Sequence, residues 1–151
     1  MKFVVAGEDN KEEVCRIYQE FINTTHSTQP NDIQKNFDVF IKEKNGYLIL
    51  VYLDDQPVGF AEFRPLPKKL RDSNEKIEIT SLFVCPQYQK KGVGKSLIEY
   101  VKKFAKKTNR DRVVLYSGLE LTEAHKFYEK TGFTKDALFY ILEVNSPSFI
   151  K

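Results

Sequence analysis

The segment Leu82-Phe83-Val84-Cys85-Pro86-Gln87-Tyr88-Gln89-Lys90-Lys91-Gly92-Val93-Gly94-Lys95-Ser96-Leu97 joins an apolar run, a proline, a turn with two glycines and the start of an amphipathic pattern. That order predicts a strand, a tight turn and the N-terminus of a helix. Main-chain N–H groups at a helix start lack intrahelical acceptors and carry about half a positive charge from the macrodipole. Glycines let a phosphate approach those donors without meeting a side chain. A diphosphate is the ligand that suits them. The P-loop pattern G-x-x-x-x-G-K-[ST] is met only in its second half, Gly94-Lys95-Ser96. Gln89 stands where its first glycine belongs, and the strand Val113-Val114-Leu115-Tyr116-Ser117 offers no terminal Asp, so the P-loop is rejected.

The alternative pattern, Q/R-x-x-G-x-G/A, is matched in full by Gln89 to Gly94. A second signature, A-x-x-[FL]-Y-x-x-x-G-[FY], is matched by Ala124-His125-Lys126-Phe127-Tyr128-Glu129-Lys130-Thr131-Gly132-Phe133. On these two motifs, in this order, the chain resembles the GNAT superfamily of N-acetyltransferases. The resemblance is strong from Glu75 to Phe133 and looser over Tyr47 to Phe63.

The resemblance implies an α/β (α+β) fold with a mixed, mainly antiparallel central sheet and helices on both faces. It implies acetyl-CoA as co-substrate, with direct transfer of the acetyl group to a primary amine. The main chain of Leu82, Phe83 and Val84 would pair with the pantetheine arm, the Leu82 amide donating to the thioester oxygen. Amides from Gln89 through Lys90, Lys91, Gly92, Val93, Gly94 and Lys95 to Ser96 would hold the diphosphate. The ammonium groups of Lys90, Lys91 and Lys95 either meet the outer phosphates or are solvated. Tyr128 matches the family tyrosine that lies by the coenzyme sulfur as general acid; a phenol of ordinary pKa ~10 keeps its proton at neutral pH. Glu78, four residues before Leu82, holds the place of a catalytic glutamate, with Glu75 and Glu62 as rivals. Strand alternation would put Glu78, Thr80, Leu82 and Val84 on one face. One departure is Leu121, where many family members carry an Asn that contacts the pantetheine. The acceptor is read as a small-molecule amine; a protein or peptide N-acetyltransferase and a non-catalytic acyl-CoA-binding module are the alternatives. A homodimer is common in the family.

Elements to position these residues are visible along the chain. Lys2 to Ala6 reads as a strand. A helix is expected from Asp9 to about Phe21, with Asp9 and Glu12 as a capping box. Ile33, Phe37, Phe40 and Ile41 mark a second helix, Ile33 to Glu43. Tyr47 to Leu53, Val58 to Arg64 and Glu75 to Cys85 read as strands, the last two joined by a long hairpin loop, Pro65 to Asn74. Val93 to Lys107 is the clearest helix, with Val93, Leu97, Val101, Phe104 and Ala105 as its apolar stripe. Arg112 to Ser117 is a strand, and Thr122 to Lys130 a helix closed by Gly132. Phe133 to Thr134 and Leu138 to Val144 would add one or two strands. The acceptor site would be built from the first two helices and the Pro65 to Asn74 loop. Acids there, Glu20, Asp32, Asp38 and Asp72, either attract a cationic amine or are simply solvated.

Composition sets the outer bounds. The 151 residues, 41% hydrophobic and 30% charged, fit one soluble globular domain spanning residues 1–151. A net charge of +3 is too small to argue for nucleic acid, and aromatics do not interleave with the lysine run that begins at Lys90. No apolar run approaches the ~20 residues of a membrane helix. The short apolar start, Phe3-Val4-Val5-Ala6, is followed at once by acid, unlike a signal peptide. Two cysteines, Cys15 and Cys85, then suggest a reduced, cytoplasmic setting; Cys15 reads as core packing and Cys85, at a strand end, as exposable. His26 and His125 are too far apart in sequence for a zinc motif, so no metal is expected.

Overall fold

A computed structural model describes residues 1–25 and 32–144 of the chain; His26 lies outside the described residues. The elements in order are β1 (Lys2–Val5), α1 (Lys11–Thr24), α2 (Ile33–Glu43), β2 (Tyr47–Leu53), β3 (Gln56–Leu66), β4 (Lys76–Val84), α3 (Val93–Lys107), β5 (Arg112–Leu115) and α4 (Thr122–Lys130). They fall into two units, the first Met1–Leu115 and the second from Tyr116 onward.

In the first unit the five strands lie in sequence order, β1-β2-β3-β4-β5. The first three pairings are antiparallel, and only β4 and β5, joined by the α3 crossover, run parallel. The sheet is therefore mixed and mainly antiparallel. Helices cover both faces, as strand alternation shows. Leu48 and Leu50 pack with Val14 and Ile17 of α1 and Phe37 of α2. The neighbouring Tyr47 turns the other way, its ring 4.6 Å from Phe104 of α3. On the α1 side Tyr18 stacks on Phe60 at 4.9 Å, and Phe21 lies 5.3 Å from Phe83. On the α3 side Val93, Leu97, Ile98, Val101 and Ala105 are buried.

β3 and β4 are out of step at one point. Glu62 faces Ser81, yet Phe63 faces Ile79, so Thr80 is an extra residue bulging from β4. The bulge reverses the alternation beyond it. Glu78 therefore shares a face with Ser81 and Phe83, the α1 side, while Leu82 and Val84 turn to the other. The expectation that Glu78, Leu82 and Val84 share one face is corrected by this single inserted residue.

Three further expectations change. α1 begins at Lys11 after a single 3-10 turn, Glu8–Asn10, and the side chain that closes it is Asn10, whose Oδ1 accepts from the Gly7 amide at 3.0 Å. The Asp9–Glu12 box is not used, because that turn moves the helix start past Asp9. Cys85, read as exposable, is buried. No strand forms over 133–144: Leu138, Phe139, Tyr140, Ile141 and Leu142 lie 61–83% exposed without regular structure. A β-rich apolar pattern says what a segment would bury against a partner edge; it does not supply the edge.

No helix among the described residues is long and apolar enough to cross a membrane.

The main chains of β3 and β4 meet closely at Gly59, where an added Cβ would lie 2.7 Å from the Phe83 carbonyl oxygen. Gly59→Ala must displace that backbone. The expected cost is about 1–3 kcal/mol, read as a lowered urea midpoint with an unchanged m-value; a midpoint equal to the wild type's would show that the contact is relaxed at no cost.

Candidate active site

The site in the first unit is built on the edge of β4 and the turn that follows it. The Cys85 amide donates to the Val58 carbonyl at 2.9 Å, which makes Cys85 and Val58 a hydrogen-bonded pair. Such pairs alternate along antiparallel strands, so Phe83 and Ser81 also point their main-chain groups at β3. The groups of Val84 and Leu82 point to the opposite edge. There β5 pairs with β4 only from Lys76 to Ile79. Beyond Ile79 that edge of β4 has no strand partner among the described residues. The Val84 carbonyl is met by the Gln89 side chain, Nε2 donating at 3.0 Å. The Leu82 amide and carbonyl and the Val84 amide have no strand partner among the described residues.

The chain then turns through Pro86–Tyr88 into α3. Lys90 has φ 59° and Gly92 φ 81°, both left-handed. A Cβ at Gly92 would meet no atom within 4 Å, so the space beside the turn is open. The first helical bond runs from the Ser96 amide to the Gly92 carbonyl at 3.0 Å. The amides of Val93, Gly94 and Lys95 therefore lie ahead of the intrahelical ladder. Two amides expected to face a diphosphate have acceptors inside the chain instead. Gln89 donates to Pro86 at 3.3 Å, closing the 3-10 turn, and Ser96 is the first residue able to reach back four positions. The Ser96 hydroxyl also bonds the Gly92 carbonyl, at 2.9 Å. Lys90, Lys91 and Lys95 are exposed, with the Lys91 ammonium 5.5 Å from the Tyr88 ring centroid.

The three candidate carboxylates are sorted by their partners. Glu78 is buried and bonded by Arg64 Nε at 2.8 Å. Glu75 is bonded by Arg110 Nη2 at 2.6 Å. Glu62 accepts from the Tyr18 hydroxyl at 3.1 Å, and that hydroxyl also lies 3.2 Å from Ser81 Oγ. Burial first, then the Glu62 charge, pushes the Tyr18 phenol up to about 12. Burial and the Glu20 carboxylate push the Cys85 thiol up to about 11, so it is no thiolate nucleophile at neutral pH. The Tyr18–Glu62–Ser81 cluster was not foreseen as a unit. Its members are 44 and 63 residues apart in sequence, and no local pattern links them.

In the second unit, α4 ends in a Schellman motif. The Phe133 amide donates to the Tyr128 carbonyl at 3.0 Å and the Gly132 amide to Glu129 at 3.1 Å. Gly132 supplies the required positive φ, 103°. The motif brings the Phe133 ring to 5.8 Å from Tyr128, with Phe127 on the other side at 5.4 Å. Tyr128 is thus held half-buried, and burial raises its phenol above the ordinary range. Leu121 is the N-cap of α4 and offers no side-chain cap.

No group of three His, Cys, Asp or Glu side chains suited to a metal ion occurs among the described residues.

Comparison with known proteins matches residues 11–133 to the model of the Acetyltransferase (GNAT) family. The N-acetyltransferase YhdJ of Bacillus subtilis (strain 168) is 29% identical over 99 residues, 65% of this chain and 69% of its own. Among solved structures, the aminoglycoside acetyltransferase meta-AAC0020 from an uncultured soil metagenomic sample, in complex with trehalose, superimposes with a TM-score of 0.77 at 18% identity, over 94% of this chain and 96% of its own. The ribosomal-protein-alanine N-acetyltransferase of Brucella melitensis biovar Abortus 2308 gives 0.78 at 16%, over 95% and 99%. At such identities the superpositions speak for the fold alone.

A phenol raised on folding contributes stability that is complete below its ordinary value of 10.0 and is lost as pH climbs through about 12. In an alkaline titration, the ultraviolet difference between wild type and Tyr18→Phe should therefore gain its phenolate band near pH 12. A band already half-developed at pH 10.0 would show Tyr18 in water, free of Glu62.

Proposed function

The chain belongs to the GNAT family of acetyltransferases, and from that premise we propose that it moves an acetyl group from acetyl-CoA directly to a primary amine of a small molecule, as a single N-acetyltransferase domain without a metal. The observation that carries this reading is the unpartnered main chain of Leu82 and the free Val84 amide, beside the open turn at Gly92. A pantetheine arm carries amides, and the free edge of β4 offers them a strand's donors and acceptors. The free amides of Val93, Gly94 and Lys95, with the positive end of the α3 dipole, suit a diphosphate. Gly92, Lys90 and Lys91 shape its approach.

When bound, acetyl-CoA supplies an activated acyl carbon. The residues of the chain do the rest. The Leu82 amide is the donor aimed at developing negative charge on the thioester oxygen. The phenol of Tyr128 holds a proton at neutral pH and is the general acid that its motif implies. Glu78 keeps the role of base as its family position implies, with Arg64 holding its carboxylate in place. Free thiols at Cys15 and Cys85 support a reducing, cytoplasmic setting. The small amine as acceptor rests on the resemblance of the Ser117 to Phe133 segment to family members that acetylate small amines; the structural neighbours include acetyltransferases of an aminoglycoside and of a ribosomal protein alike.

Calorimetry should detect acetyl-CoA binding to the wild type. Gly92→Val places a branched side chain at φ 81°, a strain of ~1–2 kcal/mol that the turn relieves only by moving. Its acetyl-CoA Kd should rise up to about tenfold. A wild type that takes up no acetyl-CoA would remove the whole reading.

Tyr128→Phe should lower kcat by about 10²–10⁴ with the acetyl-CoA Kd nearly unchanged. Thiol release followed over an amine panel measures this. Unchanged turnover would take the acid role from Tyr128, and a wild type that binds acetyl-CoA but releases no thiol with any amine would favour a binding module.

A further inference from the structure

Glu78 and Glu75 each meet an arginine, at 2.8 and 2.6 Å. Glu62 is half-buried, and no Lys, Arg or His pairs with it among the described residues. Its charge therefore has no cation partner beside the reacting edge, among the described residues. Its position is also special. It faces Ser81, the residue before Leu82, where the Thr80 bulge opens the β4 edge. The Tyr18 hydroxyl donates to one Glu62 oxygen. The Thr80 hydroxyl bonds the Glu62 carbonyl at 3.2 Å. A carboxylate has about four acceptor directions, and Tyr18 takes one. Tyr18 itself stays neutral at physiological pH, so it orients Glu62 without cancelling its charge. Its ring is fixed in turn by stacking on Phe60, 4.9 Å away.

We propose that Glu62, oriented by Tyr18 and Ser81, is the acceptor's specificity determinant: it docks an aliphatic amine through the positive charge such an amine carries in neutral water, and so selects against neutral arylamines. The inference rests on the transfer reading and names its substrate class. A partly desolvated carboxylate attracts an ammonium far more strongly than one in bulk water, and salt weakens the attraction. Tyr18 and Ser81 are positioning residues; Glu62 is the group that touches substrate.

The test compares putrescine, a cationic amine, with aniline, a neutral one. Glu62→Gln keeps an oxygen for Tyr18 to donate to but loses the charge. Its KM for putrescine should rise about 10- to 100-fold, with kcat, the aniline KM, the acetyl-CoA Kd and the melting temperature near wild type. Glu62→Asp should recover part of the loss, and Tyr18→Phe should raise the putrescine KM less than Glu62→Gln. In the wild type, added NaCl should raise the KM for putrescine and not for aniline, which tests the charge without any variant. An unchanged putrescine KM in Glu62→Gln overturns the inference while leaving acetyl transfer intact. A kcat that falls while KM holds also overturns it, assigning Glu62 to proton transfer. If the wild type acetylates neither amine, the transfer reading is judged on the wider amine panel and the inference on binding. Calorimetric titration of putrescine into wild type and Glu62→Gln, both with coenzyme A present, then decides: binding by the wild type alone supports the inference, and equal binding or none overturns it.

Discussion

A parallel partner that stops short is the constraint on which the site depends. β5 follows β4 from Lys76 to Ile79 and no further, while β4 continues to Val84. Buried main-chain donors and acceptors are almost always paired, because leaving them dry costs about what a lost hydrogen bond costs. Here the protein provides one partner from its own side chains, Gln89 to the Val84 carbonyl, and leaves the Leu82 groups to the edge. An edge kept in that state is a template for an extended ligand. The other side of the strand is fully engaged: β3 holds it by register, and Gly59 brings the two backbones so close that no Cβ fits. Rigidity on one side is what makes openness on the other usable.

The bulge at Thr80 performs a second task. Without it, Glu78 and Leu82 would share a face. With it, the carboxylates of Glu62 and Glu78 and the Ser81 hydroxyl all turn to the α1 side, while the Leu82 and Val84 side chains turn to α3. One inserted residue thus gathers three polar side chains on the α1 side of the sheet. Arg64 then neutralises Glu78 at 2.8 Å, whereas Glu62 has no cation partner among the described residues.

Much of the skeleton was legible from residue pattern. α2, α3, α4 and β2 have the bounds that apolar periodicity gave them, because each packs a clear stripe or carries its own stop signal. β3 and β4 came close, missing by a residue or two at their ends. What escaped notice was non-local. The bulge depends on register between two strands and leaves no mark in either alone. Tyr18 looks like an ordinary helix aromatic until β3 and β4 bring Glu62 and Ser81 to it. The last apolar run, Leu138 to Val144, has strand composition without a strand, since pairing is a property of two segments.

The two motifs that carried the family resemblance were legible for a physical reason. Each is anchored by a glycine in the left-handed region, Gly92 at φ 81° and Gly132 at φ 103°. Most side chains avoid that region, so the conformation is written directly into the residue type. At Gly92 it launches a helix whose first amides stay free. At Gly132 it folds Phe133 back onto Tyr128 through the Schellman bonds. The chemistry read from those motifs is main-chain donation and a seated phenol, both consequences of backbone shape. The Glu62–Tyr18–Ser81 cluster has no such device: its members are ordinary residues in ordinary conformations, assembled by packing. A motif held by backbone shape is therefore legible in a sequence where a cluster assembled by packing is not.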